Sequence, residues 1–214
     1  KVGHTGTLDP AATGVLGLLL GRATKLSQYL TGSDKTYRAV IRLGRETTTL
    51  DAEGGVVSES PVTCDAGAVE EAVGAFVGEI TQIPPMFSAT HRGGKRLHEL
   101  ARKGIEVERD PVPVTIRSID VVEVDLPDVV VDVSCSSGTY VRVLALDLGR
   151  ALGCGGHLAS LRRTAAGPYP RADAAELSAP EADRAAARPR VWRPDDPRTA
   201  ERLAPYLSPR QKRT

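Results

Sequence analysis

Hydrophobic and polar positions alternate most regularly between Lys35 and Leu43, with Tyr37, Ala39, Ile41 and Leu43 on one side and Thr36, Arg38, Val40 and Arg42 on the other. A period of two predicts a strand with one buried face. Ahead of it, the apolar run Val15 to Leu20 predicts a short buried strand, and Ala23 to Leu30 puts Leu26, Tyr29 and Leu30 on one face of an amphipathic helix. Residues 1 to 14 carry no such period and read as a Gly/Thr-rich loop. Asp51-Ala52-Glu53-Gly54-Gly55 is turn chemistry. Val56 to Glu59 follows as a short strand, and Asp65 to Val77 as a helix with Val69, Val73 and Phe76 at core spacing, ended by Gly78.

Ile83-Pro84-Pro85-Met86 interrupts any regular element, because proline lacks an N–H and restricts the residue before it. His91 to Arg96, with Gly93-Gly94 inside it, reads as a mobile basic loop, followed by a short helix from Leu97 to Lys103 that Gly104 stops. Val112 to Asp125 and Val129 to Cys135 predict an antiparallel pair across the Leu126-Pro127-Asp128 turn. Tyr140 to Leu152 is a helix with Leu144, Leu148, Ala151 and Leu152 inward, and Gly155-Gly156 opens a last strand, His157 to Thr164. The fold class is α+β, a mixed, mainly antiparallel sheet with flanking helices. From Ala172 onward Ala, Pro and Arg dominate and the apolar period lapses. A boundary is therefore expected near 170, with a basic tail over 171–214.

Composition narrows the class of protein. With 214 residues and 41% hydrophobic positions the chain can fill a core, mainly with Val, Leu and Ala, so disorder throughout is excluded. Its longest early apolar run, Val15 to Leu20, is far too short for a bilayer-spanning helix. Cys64, Cys135 and Cys154 are odd in number and show no CxxC spacing, which supports neither a disulfide framework nor a zinc site. Reduced thiols and the lack of any signal or transit pattern give a cytoplasmic expectation.

The net charge of +1 averages over blocks of opposite sign. Glu46 to Ile83 holds eight carboxylates and no Lys or Arg. His91 to Arg109 carries Arg92, Lys95, Arg96, Arg102, Lys103 and Arg109 against Glu99, Glu106 and Glu108, and Arg184 to Thr214 has nine basic and three acidic residues. Such segregation points to a basic face for phosphates and an acidic face turned away from them.

Three clusters carry candidate chemistry. Gly3-His4-Thr5-Gly6-Thr7-Leu8-Asp9-Pro10-Ala11-Ala12-Thr13-Gly14 surrounds one carboxylate with glycines and hydroxyls, and Pro10 holds Asp9 extended. It is neither a P-loop nor a dinucleotide-binding turn, and an Asp in such a loop can equally be a turn or cap residue. Ser136-Ser137-Gly138-Thr139-Tyr140-Val141-Arg142 puts an arginine at a helix start, fit to bind an anion or orient a carboxylate, or to form a surface ion pair. Asp34-Lys35-Thr36-Tyr37-Arg38 offers an aromatic between cations, suited to stacking on a base or to a half-buried strand position.

Taken together these segments resemble the TruB family of tRNA pseudouridine synthases. The likeness also takes in Ala23-Thr24-Lys25, Asp51-Ala52-Glu53-Gly54, Ile83-Pro84-Pro85-Met86-Phe87-Ser88-Ala89, Ala101-Arg102-Lys103-Gly104 and His157-Leu158 through Leu161-Arg162-Arg163, in order across residues 1 to 170. The resemblance implies a pseudouridine synthase fold, with 1–170 the catalytic domain. It further implies a stretch containing a Lys-Pro dipeptide before Lys1, so that the N-terminal portion of that domain is missing. After 170 no match to a C-terminal PUA-type domain is found.

The resemblance implies an isomerase that converts uridine 55 in the T-loop of tRNA to pseudouridine, with no metal or cofactor and no obligatory protein partner, acting as a monomer. By likeness Asp9 is the catalytic aspartate. The base must leave C1′, turn and rejoin through C5. Asp9 either attacks C1′ or removes the C2′ proton, and the sequence leaves both routes open. Arg142 is implied as the cation that holds Asp9 ionised, with Asp51 in the same network. Tyr37 matches the tyrosine against the flipped base, Tyr140 and Leu161 match pocket positions, and His4 matches the histidine filling the space the nucleotide leaves. Lys25, Arg92, Lys95 and Arg96 are the expected phosphate contacts. Two other readings remain: an inactive RNA-binding or tRNA-folding fragment, and a dyskerin-like guide-RNA enzyme.

Overall fold

In a computed structural model of the chain, residues 1–88, 90–92, 94–176, 201 and 204–206 are described. In chain order the strands and α-helices begin with β1 (Val2–His4), β2 (Thr13–Gly14), β3 (Leu18–Leu20), α1 (Ser27–Thr31), β4 (Lys35–Leu43), β5 (Arg45–Thr47), β6 (Val56–Glu59) and α2 (Ala66–Gly74). They continue with β7 (Gly78–Gln82), β8 (His91–Arg92), β9 (Lys95–Arg96), α3 (Leu97–Ala101), β10 (Val112–Asp125), β11 (Asp128–Cys135), α4 (Val141–Ala151), β12 (Gly156–Ala166) and β13 (Tyr169–Pro170). The class is α+β: most strand pairs are antiparallel, and β2 with β12 is parallel. The chain divides into two compact units, Lys1–Thr36 with Arg162–Thr214, and Tyr37–Leu161.

The 37–161 unit is built on a sheet in the order β12, β4, β11, β10, β7. The alternation predicted for Lys35–Leu43 is observed, with Ala39, Ile41 and Leu43 buried. Val129, Val131, Val133 and Cys135 of β11 bury the same parity of positions. Leu144, Ala145 and Leu148 of α4 and Val69 and Val73 of α2 complete one continuous apolar cluster. Asp65 caps α2 by accepting a hydrogen bond from the Ala68 N–H at 2.9 Å, as its place before an apolar period predicts. All three cysteines are free thiols. Burial is the main cause that pushes the Cys64 thiol up, with Cys154 beside it adding to the rise.

The 1–36 and 162–214 unit has a much smaller apolar cluster, Leu19 and Leu30 with Ala23, Leu26 and Tyr169 against them. Here the structure departs from the pattern reading. The run 15–20 forms a strand only at Leu18–Leu20, whose outer residues Leu18 and Leu20 are exposed. The single helix expected over Ala23 to Leu30 is a 3-10 turn at Gly21–Leu26 followed by α1. The loop expected over 1–14 contains β1, which pairs antiparallel with β3, and β2.

Two further departures lie in the larger unit. β7 pairs with β10 from Gly78 to Gln82, although Ile80 is its one large apolar residue. The basic segment expected as an irregular loop is a short hairpin, His91 paired with Arg96 and Arg92 with Lys95, turned by Gly94 at φ +80°. Among the described residues no helix is long and apolar enough to cross a membrane. The basic tail expected over 171–214 lies outside the described residues except for 171–176, 201 and 204–206.

Candidate active site

In the 37–161 unit the centre of the candidate site is Arg142, on the first turn of α4 and 4% exposed. A cation there opposes the positive end of the helix dipole, so its burial must be supported by other groups. Its Nη1 donates to the Thr49 carbonyl at 3.1 Å and its Nη2 to the Phe87 carbonyl at 2.8 Å. The Asp51 carboxylate lies 3.7 Å away.

Asp51 is itself held on several sides. The Thr49 hydroxyl and the Glu53 N–H both donate to its Oδ1, and the Thr47 hydroxyl donates to its carbonyl at 2.7 Å. Its main chain bridges Leu158 in a parallel sense. The preceding Leu50 has φ +64°, a left-handed conformation that costs an L residue about 1–2 kcal/mol. Gly54 closes the same turn, since a Cβ there would lie 2.5 Å from the Thr49 hydroxyl.

Tyr140 occupies the N-cap position of α4 without a side-chain cap of its own. Gln82, 2% exposed at the end of β7, makes up the deficit. Its amide oxygen accepts from the Tyr140 N–H at 2.9 Å, and its amide nitrogen donates to the Tyr140 carbonyl at 3.2 Å. Both main-chain groups at the helix entrance are thereby satisfied. The Tyr140 hydroxyl lies 2.8 Å from that of Thr90. Tyr37 and Leu161 are half-buried and pack against the sheet core. Arg92, Lys95 and Arg96 contribute main chain to the β8–β9 hairpin, which is followed directly by the buried Leu97. The structure thus gathers Arg142 and Asp51 and fixes Tyr140 two residues before Arg142.

The other sequence-predicted residues belong to the second unit. Asp9 is half-buried, and its carbonyl accepts from the Ala12 N–H at 2.9 Å, closing a turn that has Pro10 at its second position. His4 is exposed on β1, its Nδ1 3.3 Å from the Gly6 N–H and its carbonyl accepting from the Ser27 hydroxyl. Lys25 is exposed in the last turn of the 3-10 segment. Gly6 at φ +130° and Gly14 at φ +104° give the Asp9 loop its two sharp bends.

Two residues of consequence escape a reading of the pattern. Gln82 gives no signal, because it precedes the Pro-Pro break in a strand with little alternation. Arg163 is 1% exposed and donates to the carbonyls of Val15, Thr7 and Gly6 at 2.7, 3.1 and 3.2 Å. A period of two from Leu161 along β12 carries the inward side to Arg163, a signal available in the sequence. Among the described residues no group of three or more His, Cys, Asp or Glu is placed to hold a metal ion.

Comparison with known proteins yields a consistent result. Residues 1–141 match the N-terminal domain model of the TruB family pseudouridylate synthases, and residues 142–188 match the model of the tRNA pseudouridylate synthase B C-terminal domain. A tRNA pseudouridine synthase B of Aromatoleum aromaticum is 55% identical over 182 residues, 85% of this chain and 59% of the relative. One of Burkholderia mallei is 56% identical over 182 residues, 85% of this chain and 60% of the relative. The chain therefore spans about three fifths of the length of the curated relatives it matches. Among solved structures, a chain of a Cbf5-Nop10-Gar1 complex aligns with TM-score 0.59 and 32% identity, covering 79% of this chain and 41% of that one. A chain of an H/ACA RNP bound to a substrate RNA containing 2′-deoxyuridine aligns with TM-score 0.57 and 28% identity, covering 79% and 40%.

Proposed function

We propose that this chain, which belongs to the TruB family of pseudouridylate synthases, isomerises a uridine of tRNA to pseudouridine, namely uridine 55 of the T-loop. The observation that carries the reading is that the segment matching the family's N-terminal domain, residues 1–141, contains Asp9, Tyr37, Asp51 and Tyr140 together. The curated relatives named for tRNA are 55–56% identical, against 28–32% for the chains from the Cbf5-Nop10-Gar1 complex and the H/ACA RNP. That difference favours a tRNA enzyme over the dyskerin-like guide-RNA alternative.

In this reading Asp9, Tyr37 and Arg142 are the catalytic groups. Asp9 acts ionised, as nucleophile at C1′ or base at C2′, Tyr37 lies against the base, and Arg142 is the buried cation of the network that includes Asp51. His4, Lys25, Tyr140, Leu161, Arg92, Lys95 and Arg96 bind the substrate. Extruding a stacked uridine costs on the order of a few kcal/mol, which phosphate contacts offset, so affinity falls steeply with salt. The protein works in the cytoplasm, as a monomer and without an obligatory protein partner.

Release of tritium from tRNA labelled at uridine C5 tests the reading. Asp9→Asn should lower release by about 10³-fold or more while tRNA binding changes little, in line with removal of a group that acts in the reaction. Full release by that variant would refute the assignment, and wild-type binding without release would favour the inactive RNA-binding alternative.

A further inference from the structure

The guanidinium of Arg163 is fully buried, yet among the described residues its partners are main-chain carbonyls and no carboxylate. A buried cation is costly unless its donors are satisfied, so three carbonyl oxygens converging on one fork amount to a built feature. All three come from one loop. Gly6 and Thr7 precede Asp9, and Val15 follows it. The main chain of Arg163 adds a further tie, because its carbonyl accepts from the Val15 N–H at 2.9 Å and its strand pairs in parallel with Gly14. Backbone contact there is so close that a Cβ on Gly14 would lie 2.1 Å from the Arg163 carbonyl oxygen. Thr5, 2% exposed, is locked beside the same loop, its N–H donating to Gly17 at 3.0 Å.

We propose that Arg163 is a positioning residue for the reaction: its side chain pins both ends of the loop that carries Asp9, and so fixes where the carboxylate is presented. Lysine cannot replace it, because a single ammonium cannot direct donors from a rigid planar fork to three separated carbonyls. The inference rests on the proposed function for its catalytic consequence and on the hydrogen bonds alone for its structural one.

The test compares wild type with Arg163→Lys and Arg163→Gln in two measurements. The first is single-turnover isomerisation of tRNA alongside tRNA affinity. Arg163→Lys should lose about 10²-fold or more in rate with affinity within about threefold, the split expected when geometry in the transition state is lost and ground-state binding is kept. A destabilising substitution in the other unit, Val131→Ala, serves as control and should leave the rate of the folded fraction unchanged. The second is amide hydrogen exchange, in which the N–H groups of Thr5, Ala12 and Val15 should exchange at least tenfold faster in Arg163→Lys, with those of β10 and β11 unaltered.

Unchanged rate and unchanged loop exchange in a folded Arg163→Lys protein would overturn the proposal, as would a rate loss matched by an equal loss of tRNA affinity. Faster loop exchange in a protein whose wild type shows no isomerisation would sink the proposed function and leave the anchoring role standing.

Discussion

Both units bury an arginine against backbone carbonyls, but they surround it differently. Arg142 receives carbonyls from two distant segments, at Thr49 and Phe87, and has Asp51 at 3.7 Å. It lies on a helix whose other face joins a sheet core of more than a dozen buried apolar residues. Arg163 draws its three carbonyls from a single loop, in a unit whose buried cluster consists of Leu19 and Leu30. In the larger unit the helix that carries the arginine is itself packed into the apolar core, which places the side chain. In the smaller one there is too little apolar burial to fix a glycine-rich loop, so a polar clamp takes on the work that packing does elsewhere.

The sharpest way to break this contrast is to damage each unit where it differs. Leu144→Ala removes a side chain 2% exposed within the sheet core and should cost about 2–5 kcal/mol of stability, seen as an early cooperative melting transition by circular dichroism. Gly14→Ala puts a methyl against the Arg163 carbonyl at a φ of +104° and should cost about 1–3 kcal/mol of local strain. Its loss should appear as faster exchange of the 5–15 amides and slower isomerisation, with the main melting transition little changed. If Gly14→Ala instead lowers that transition as far as Leu144→Ala does, the two units do not differ in the way described.

The smallest effect concerns charge in the larger unit. Burial holds the Asp147 carboxyl above its ordinary value of 3.8, with Arg150 opposing the rise. The folded state then binds this proton more tightly than the unfolded chain. The contribution of Asp147 is most favourable below pH 3.8 and declines as pH rises toward the raised folded value. Asp147→Asn should therefore gain a few tenths of a kcal/mol at pH 7 and flatten the stability profile just above pH 4. Denaturant titrations at pH 3.5 and pH 7 would measure it.

The same division explains what could be read from residues alone. β4, β11, α2 and α4 follow from period and capping because apolar burial dictates them. β1, β2 and the break between the 3-10 turn and α1 do not, since Leu18 and Leu20 of the strand that pairs with β1 are exposed and this unit buries too few apolar residues to impose a period. β7 was illegible for a related reason: its ladder with β10 comes from main-chain groups, and Gln82 is buried for the sake of the Tyr140 backbone. Of the candidate site, family likeness supplied the residue types as expectations, whereas the backbone partners of Gln82 and Arg163 become visible only once the chain is folded.

The clamp on the Asp9 loop also has a consequence for biosynthesis. Gly6 and the arginine that binds its carbonyl are 157 residues apart. During translation the loop leaves the ribosome early, and its anchor is made only after the entire 37–161 unit has been polymerised. At roughly 5–20 residues per second, the nascent chain spends on the order of 8–30 seconds with the Asp9 loop unmoored, while β4, β7, β10 and β11 of the larger unit are free to pair first. The fixed geometry of this loop would then be acquired later than the apolar core of the larger unit.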